Sequence, residues 1–103
     1  MKTPLIFSRN TLLSDPIRLS IVVAISSASE PVDFNSLLSS LELSRGNLSS
    51  HVRKLEEANL VKVHKEFVDR RPKTTYSLTN EGDRELKEYL INLEPLLKMV
   101  GES

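Results

Sequence analysis

The chain has 103 residues, enough for one domain with a modest core and little room for a second. It has no cysteine, which removes thiolate metal sites, thiol redox chemistry and disulfides, and no apolar run approaches the ~20 residues of a membrane span. Its 14 basic and 14 acidic residues cancel, so only their distribution can mark one surface from another.

Residues 1–13 carry Leu5, Ile6, Phe7, Leu12 and Leu13 with weak periodicity. A short helix or extended arm is expected, and the apolar stretch is too short for a signal peptide. The cytoplasm is the expected location. Asp15-Pro16 starts a helix: Asp15 can cap it, and proline is tolerated in a first turn whose N–H groups are unpaired anyway. That helix runs to about Ala28, with Ile17, Ile21, Ala24, Ile25 and Ala28 on one stripe and Leu19, Val22 and Val23 widening it.

Ser29-Glu30-Pro31 is a break, and Asp33 caps a short second helix with Phe34, Leu37, Leu38 and Leu41 on one face. Glu42-Leu43 turns the chain, with Leu43 pointing inward. Ser44 caps a third helix to Ala58, whose buried stripe is Leu48, Val52 and Leu55. Asn59 stands where a helix needs a left-handed residue to stop. Two helices joined by a tight turn make a helix-turn-helix. Gly46, Ser50, Arg53 and Glu57 lie opposite the stripe, flanked by Asn47, Ser49 and Lys54. A face this small and polar sacrifices helix propensity and suits close approach to a ligand surface.

A strand from Leu60 to Val68, a basic turn Asp69-Arg70-Arg71-Pro72-Lys73 and a returning strand from Thr75 to Thr79 follow. Helix, then hairpin with a cationic tip, is the layout of a winged helix. Its helix is sized for a DNA major groove and its tip for the neighbouring phosphates or minor groove. From Ser44 to Lys73 eight basic residues face four acids, and the rest of the chain carries the matching negative excess. Such a basic third can present a phosphate-binding surface on a neutral protein.

Thr79 caps the last helix, with Gly82 in its first turn and Glu81, Asp83 and Glu85 near its positive end. Leu86, Leu90, Leu93, Leu97 and Val100 repeat at 4, 3, 4, 3, a seam on which another helix can pack. Pro95 is expected to end the regular helix near Glu94 and leave a bent or separate turn. His51 reads as a hydrogen-bonding residue at the edge of the core, and His64 has no companions for a zinc site. Arg18 is expected to pair with an acid of the last helix, and Tyr76 and Phe67 to pack within the hairpin. No nucleophile elbow, phosphate loop or other catalytic constellation is visible, so the chain is not read as an enzyme.

Three segments then carry a family resemblance. Asp15-Pro16-Ile17-Arg18-Leu19-Ser20-Ile21 resembles the Asp-Pro-x-Arg-Leu-x-Ile opening of ArsR-type winged-helix regulators. The run from Leu43 to Val61 is similar to the recognition helix of the MarR and ArsR superfamily, whose pattern ends Leu-Glu-x-x-Gly-Leu-Val; here Asn59 replaces the glycine. Arg70 to Gly82 looks like the wing and following helix cap of the same group. The likeness covers about residues 14–90 and is nearest to the short, single-domain regulators frequent in archaea.

This resemblance implies an α+β, mostly helical winged helix-turn-helix: a three-helix core, a two-stranded wing and a C-terminal dimerisation helix. Residues 1–13 would form the arm, 15–79 the core and 80–100 the last helix. It implies a homodimer that binds double-stranded DNA and regulates transcription, expected here as a repressor on a near-palindromic site. Carried over by position, Ser44, Arg45, Asn47, Ser49, Ser50, Arg53 and Lys54 become groove-facing candidates, and Arg70, Arg71 and Lys73 wing contacts. Leu86, Leu90, Leu93, Leu97 and Val100 become the dimer seam, helped by residues 4–13. The cysteine ligands of ArsR-type metal sensors are missing, so no metal or cofactor is expected. The main rival is a winged-helix protein–protein module without DNA binding. A second is a regulator that senses a small molecule at its dimer interface.

Overall fold

The computed structural model describes residues 11–101. Of the arm expected over residues 1–13, residues 1–10 lie outside the described residues. A 3-10 turn (Thr11–Ser14) leads into α1 (Pro16–Ser27), β1 (Val32–Asp33), α2 (Phe34–Leu41), α3 (Arg45–Glu57), β2 (Val61–Val68), β3 (Arg71–Leu78) and α4 (Asn80–Gly101). This is a winged helix-turn-helix, mostly helical, as the sequence pattern predicts.

Short side chains set the helix starts. The Asp15 carboxylate accepts from the N–H groups of Ile17 (2.8 Å) and Arg18 (3.2 Å), Asp33 from Ser36 (2.7 Å), Ser44 from Asn47 (3.1 Å) and Thr79 from Gly82 (2.9 Å). Each satisfies an N–H that the helix itself leaves unpaired. Asn59 takes the left-handed conformation (φ 62°) and ends α3 as expected. Its side chain then donates to Glu81 at 3.1 Å, and its carbonyl accepts from the Thr79 hydroxyl at 2.7 Å. The stop of α3 is thereby tied to the start of α4, a link that glycine at 59 could not complete. Gly82 lies directly against the Leu60 carbonyl, where any Cβ would collide.

One core runs through the body. Leu13, Ile21, Val22, Ile25 and Leu37 meet Leu48, Val52 and Leu55 of α3, closed by Leu60, Val61, Tyr76, Leu86 and Tyr89. The α3 stripe is therefore the surface that fixes the helix, and its opposite face is free.

The structure corrects five expectations. The sheet has three strands in the order β1-β3-β2, because Val32 and Asp33 pair with Tyr76 and Thr75. Two residues are too few to carry an alternation pattern. The second strand of the hairpin is longer than expected: β3 begins at Arg71, not Thr75, and pairs continuously up to Val68↔Arg71, while β2 begins one residue late at Val61. Only Asp69 and Arg70 form the turn, both left-handed (φ 52° and 66°), as a tight two-residue hairpin requires. Pro72 fits within β3 because β1 flanks that strand only at Thr75 and Tyr76, leaving one side open where its missing N–H is tolerated.

α4 continues through Pro95 to Gly101. That half of the helix is exposed, so water can satisfy the carbonyl that proline deprives of a donor. Arg18 does not reach α4. It donates to the Leu12 carbonyl (2.8 Å), lies 3.2 Å from His51 Nδ1 and stands 4.0 Å from Asp15. This brace joins the entry turn to the half-buried flank of α3. Finally, Tyr76 packs in the core at 5 % exposure, but Phe67 takes no part in the core and is 77 % exposed.

Candidate nucleic-acid interface

The site is built by α3 and the hairpin. Ser44, Arg45, Asn47, Ser49, Ser50, Arg53 and Lys54 are all exposed, and Gly46 has open space around it. Nothing bulky blocks this surface, so a groove edge could come close to the α3 backbone. Ser44 spends its hydroxyl on the cap. Arg45 is steadied at the α2–α3 corner: its guanidinium lies 5.7 Å from the Phe34 ring centre and 3.5 Å from Asn35 Oδ1.

The strand period decides what faces α3. Val63, Lys65 and Phe67 share one face of β2, and Pro72, Thr74 and Tyr76 stand opposite them on β3. Between that face and α3 lies a cleft of about 330 Å³ lined by Ser49, Val52, Arg53, Glu56, Val63, Lys65, Thr74 and Tyr76. The structure thus brings two predicted residues, Ser49 and Arg53, together with Lys65 and Thr74, which sequence reasoning did not assign. The available signal was Lys65 occupying an inward position of an alternating strand. Burial pushes the Tyr76 hydroxyl above its ordinary pKa, with the Glu56 carboxylate adding to the effect, so it stays protonated in this cleft. A second depression of about 270 Å³ joins Arg45 to Pro72, Lys73 and Thr74 across the start of α2.

Arg70 and Arg71 stand at the tip, outside both depressions. Among the described residues Arg53, Lys54, Lys65, Arg70, Arg71 and Lys73 are in no ion pair; the pairs present are Arg18–Asp15, His64–Glu66, Lys87–Asp83 and Lys98–Glu94. Lys73 lies close enough to Asp33 to help lower its carboxyl pKa; the other cations, without carboxylate partners, project a positive field that phosphates would satisfy. Among the described residues no cluster of three histidine or acidic side chains could hold a metal ion, and no helix is long and apolar enough to cross a membrane.

Comparison with known proteins agrees with this fold. The sequence profile of the winged helix DNA-binding domain family matches residues 17–97. The chain belongs to this family. A transcriptional regulator homologue from Pyrococcus horikoshii OT3 superposes with a TM-score of 0.81 at 33% identity, covering 89% of this chain and 90% of that one. The transcriptional regulator BldR from Sulfolobus solfataricus superposes at 0.68 with 26% identity, covering 84% of this chain and 61% of the other. An uncharacterised protein of Methanocaldococcus jannaschii is 37% identical over 71 residues, 69% of this chain and 77% of its own length.

The seam of α4 divides along its length. Leu86 lies in its own core at 4 % exposure, joined there by Tyr89, which the seam pattern did not include. Leu93 is half-buried, and Leu90, Leu97 and Val100 are exposed, the last two at 71 % and 83 %.

Proposed function

We propose that this winged helix is a transcription regulator that binds duplex DNA, with α3 in the major groove and the hairpin across the adjoining backbone. The observation that carries this reading is the pairing of a bare polar α3 face with Arg53 and Lys65, two cations in no ion pair, against the single acid Glu56 in one cleft. Arg45, Asn47, Ser49, Ser50, Arg53 and Lys54 then meet base edges and nearby phosphates. Arg70, Arg71 and Lys73 supply phosphate attraction, which is independent of sequence.

The protein acts as a homodimer through Leu90, Leu97 and Val100, whose exposed apolar surface needs a cover, with half-buried Leu93 between them. A two-fold pair would set the two α3 helices about 34 Å apart and read a near-palindromic site. Repression follows from occupancy, since a body seated on a promoter excludes others. Its location is the compartment that holds the DNA, the cytoplasm.

Selection from a pool of random duplexes at low salt tests this reading. Enrichment of inverted half-sites about 10 bp apart, centre to centre, is the expected result. Failure to retain any duplex would leave the rival protein-interaction module as the better account.

A further inference from the structure

Phe67 is out of place by every packing criterion. It is 77 % exposed at the far end of β2, opposite exposed Pro72, with Val68 beside it also exposed. The hairpin does not need its ring, because the strand pairing around it is complete through Val68↔Arg71. Single exposed apolar residues are ordinary on protein surfaces. This one has a definite direction and definite neighbours.

The direction comes from the strand period. Phe67 and Pro72 continue the face that carries Val63, Lys65, Thr74 and Tyr76, the hairpin wall of the cleft beside α3. They lie one inward position beyond Lys65, about 7 Å further along the strand. Anything that fills the cleft and extends outward meets them next. The neighbours are Lys65 on the same face, Arg70 in the turn, and Arg71 and Lys73 on β3. The nearby acids are Asp69 in the turn and Glu66, which already lies 3.4 Å from His64. An apolar partner protein would have to accept this ring beside Lys65 on the same face and Arg70 in the turn, with Arg71 and Lys73 on the reverse of the ribbon, whereas the cores of protein interfaces are depleted of charge. A polyanion that offers an apolar slot between its charges fits better.

Given the duplex-binding reading above, we infer that the Phe67–Pro72 pair at the wing tip is an apolar wedge for the DNA minor groove, with Phe67 entering between base steps while the flanking cations hold the phosphates on either side. The minor groove is about 6 Å wide, narrow for a two-stranded ribbon but open to a single side chain. Apolar wedges of this kind unstack a base step and kink the duplex by roughly 20–90°. The wing would then contribute sequence preference through deformability, favouring pyrimidine–purine steps at positions no polar side chain reads.

The test uses a duplex recovered by the wild-type protein from the random pool. Dyes on its two ends report bending, and 2-aminopurine, placed in turn at the A·T steps flanking each half-site, reports unstacking. Wild type and Phe67→Leu should both shorten the end-to-end distance and raise 2-aminopurine fluorescence at one step per wing. Phe67→Ser, which disturbs no packed residue, should still bind but leave the duplex straight and the probe quenched. The wedge is overturned if Phe67→Ser bends and unstacks the duplex as wild type does. It is equally overturned if that variant alters only the self-association seen by light scattering, because the ring would then face another copy of the chain. Wild-type binding without any bend or unstacking removes the wedge and leaves the DNA-binding reading standing; no binding at all removes both.

Discussion

Helix α3 and the outer half of the hairpin supply adjoining parts of one basic surface, yet the chain holds them by different means. α3 is clamped by side chains: Leu48, Val52 and Leu55 are buried, Ser44 caps its start, and Asn59 ties its end to α4. The hairpin beyond Val63 has no buried side chain on β2, and β3 adds only half-buried ones until Tyr76. Its outer part is held by the backbone ladder and a two-residue turn. Changes on the free face of α3 leave its clamp intact, and changes at the tip touch no clamp at all. In this domain the residues that build the surface and the residues that present it are therefore largely separate.

The sharpest way to break this contrast is to cut the clamp. Leu55 is fully buried, and Leu55→Ala should destabilise the protein by about 2–5 kcal/mol in chemical denaturation. DNA retention should be lost in step with folding. The matching truncation at the tip, Phe67→Ser, should stay within about 0.5 kcal/mol of wild type. Equal losses at both positions would mean that the tip is packed in solution and the contrast is false.

A smaller effect sharpens the account of the turn. Arg70 sits at φ 66°, a conformation that disfavours any residue with a Cβ by about 1–2 kcal/mol. Arg70→Gly should therefore raise stability by about 1 kcal/mol while weakening duplex binding. A variant that is more stable and binds equally well would show that the arginine does not contact DNA.

The smallest effect concerns the caps. Backbone N–H groups hold the Asp15 and Asp33 carboxyls below their ordinary pKa, the largest contributions coming from Arg18 and Ser36 respectively. Folded pKa values below the unfolded ones mean that these caps stabilise the protein above the ordinary Asp value of about 3.9. Their contribution fades as pH falls from there through the lowered folded values. Asp33→Asn keeps a capping side chain without the titration, so its stability should fall less steeply than wild type below that pH. An identical acid limb in the two proteins would remove Asp33 from the explanation.

Much of this was legible in the sequence where one residue acts locally. Asp15, Asp33, Ser44 and Thr79 mark helix starts because each needs only its own side chain and the next turn of backbone. Asn59 marks a stop because few residues tolerate its conformation. β1 was not legible, since Val32 and Asp33 become a strand only when β3 is already alongside. The true extent of β3 was hidden too: Arg71, Pro72 and Lys73 pair through the backbone on an exposed ribbon, where side chains need not alternate. Lys65 was not assigned, although its inward position on an alternating strand places it in the cleft with Arg53. Pro95 does not end α4, because a helix end in water loses less from a missing hydrogen bond than a buried one.

The most direct test of the central claim is the salt dependence of duplex binding for wild type and for the Arg70→Ala/Arg71→Ala pair. If both arginines of each wing meet phosphates, binding should weaken on every sequence, and the slope of log affinity against log salt should become shallower by about 3.6, because the dimer loses four arginines. An unchanged slope would contradict the claim that the wing tip lies on DNA beside α3.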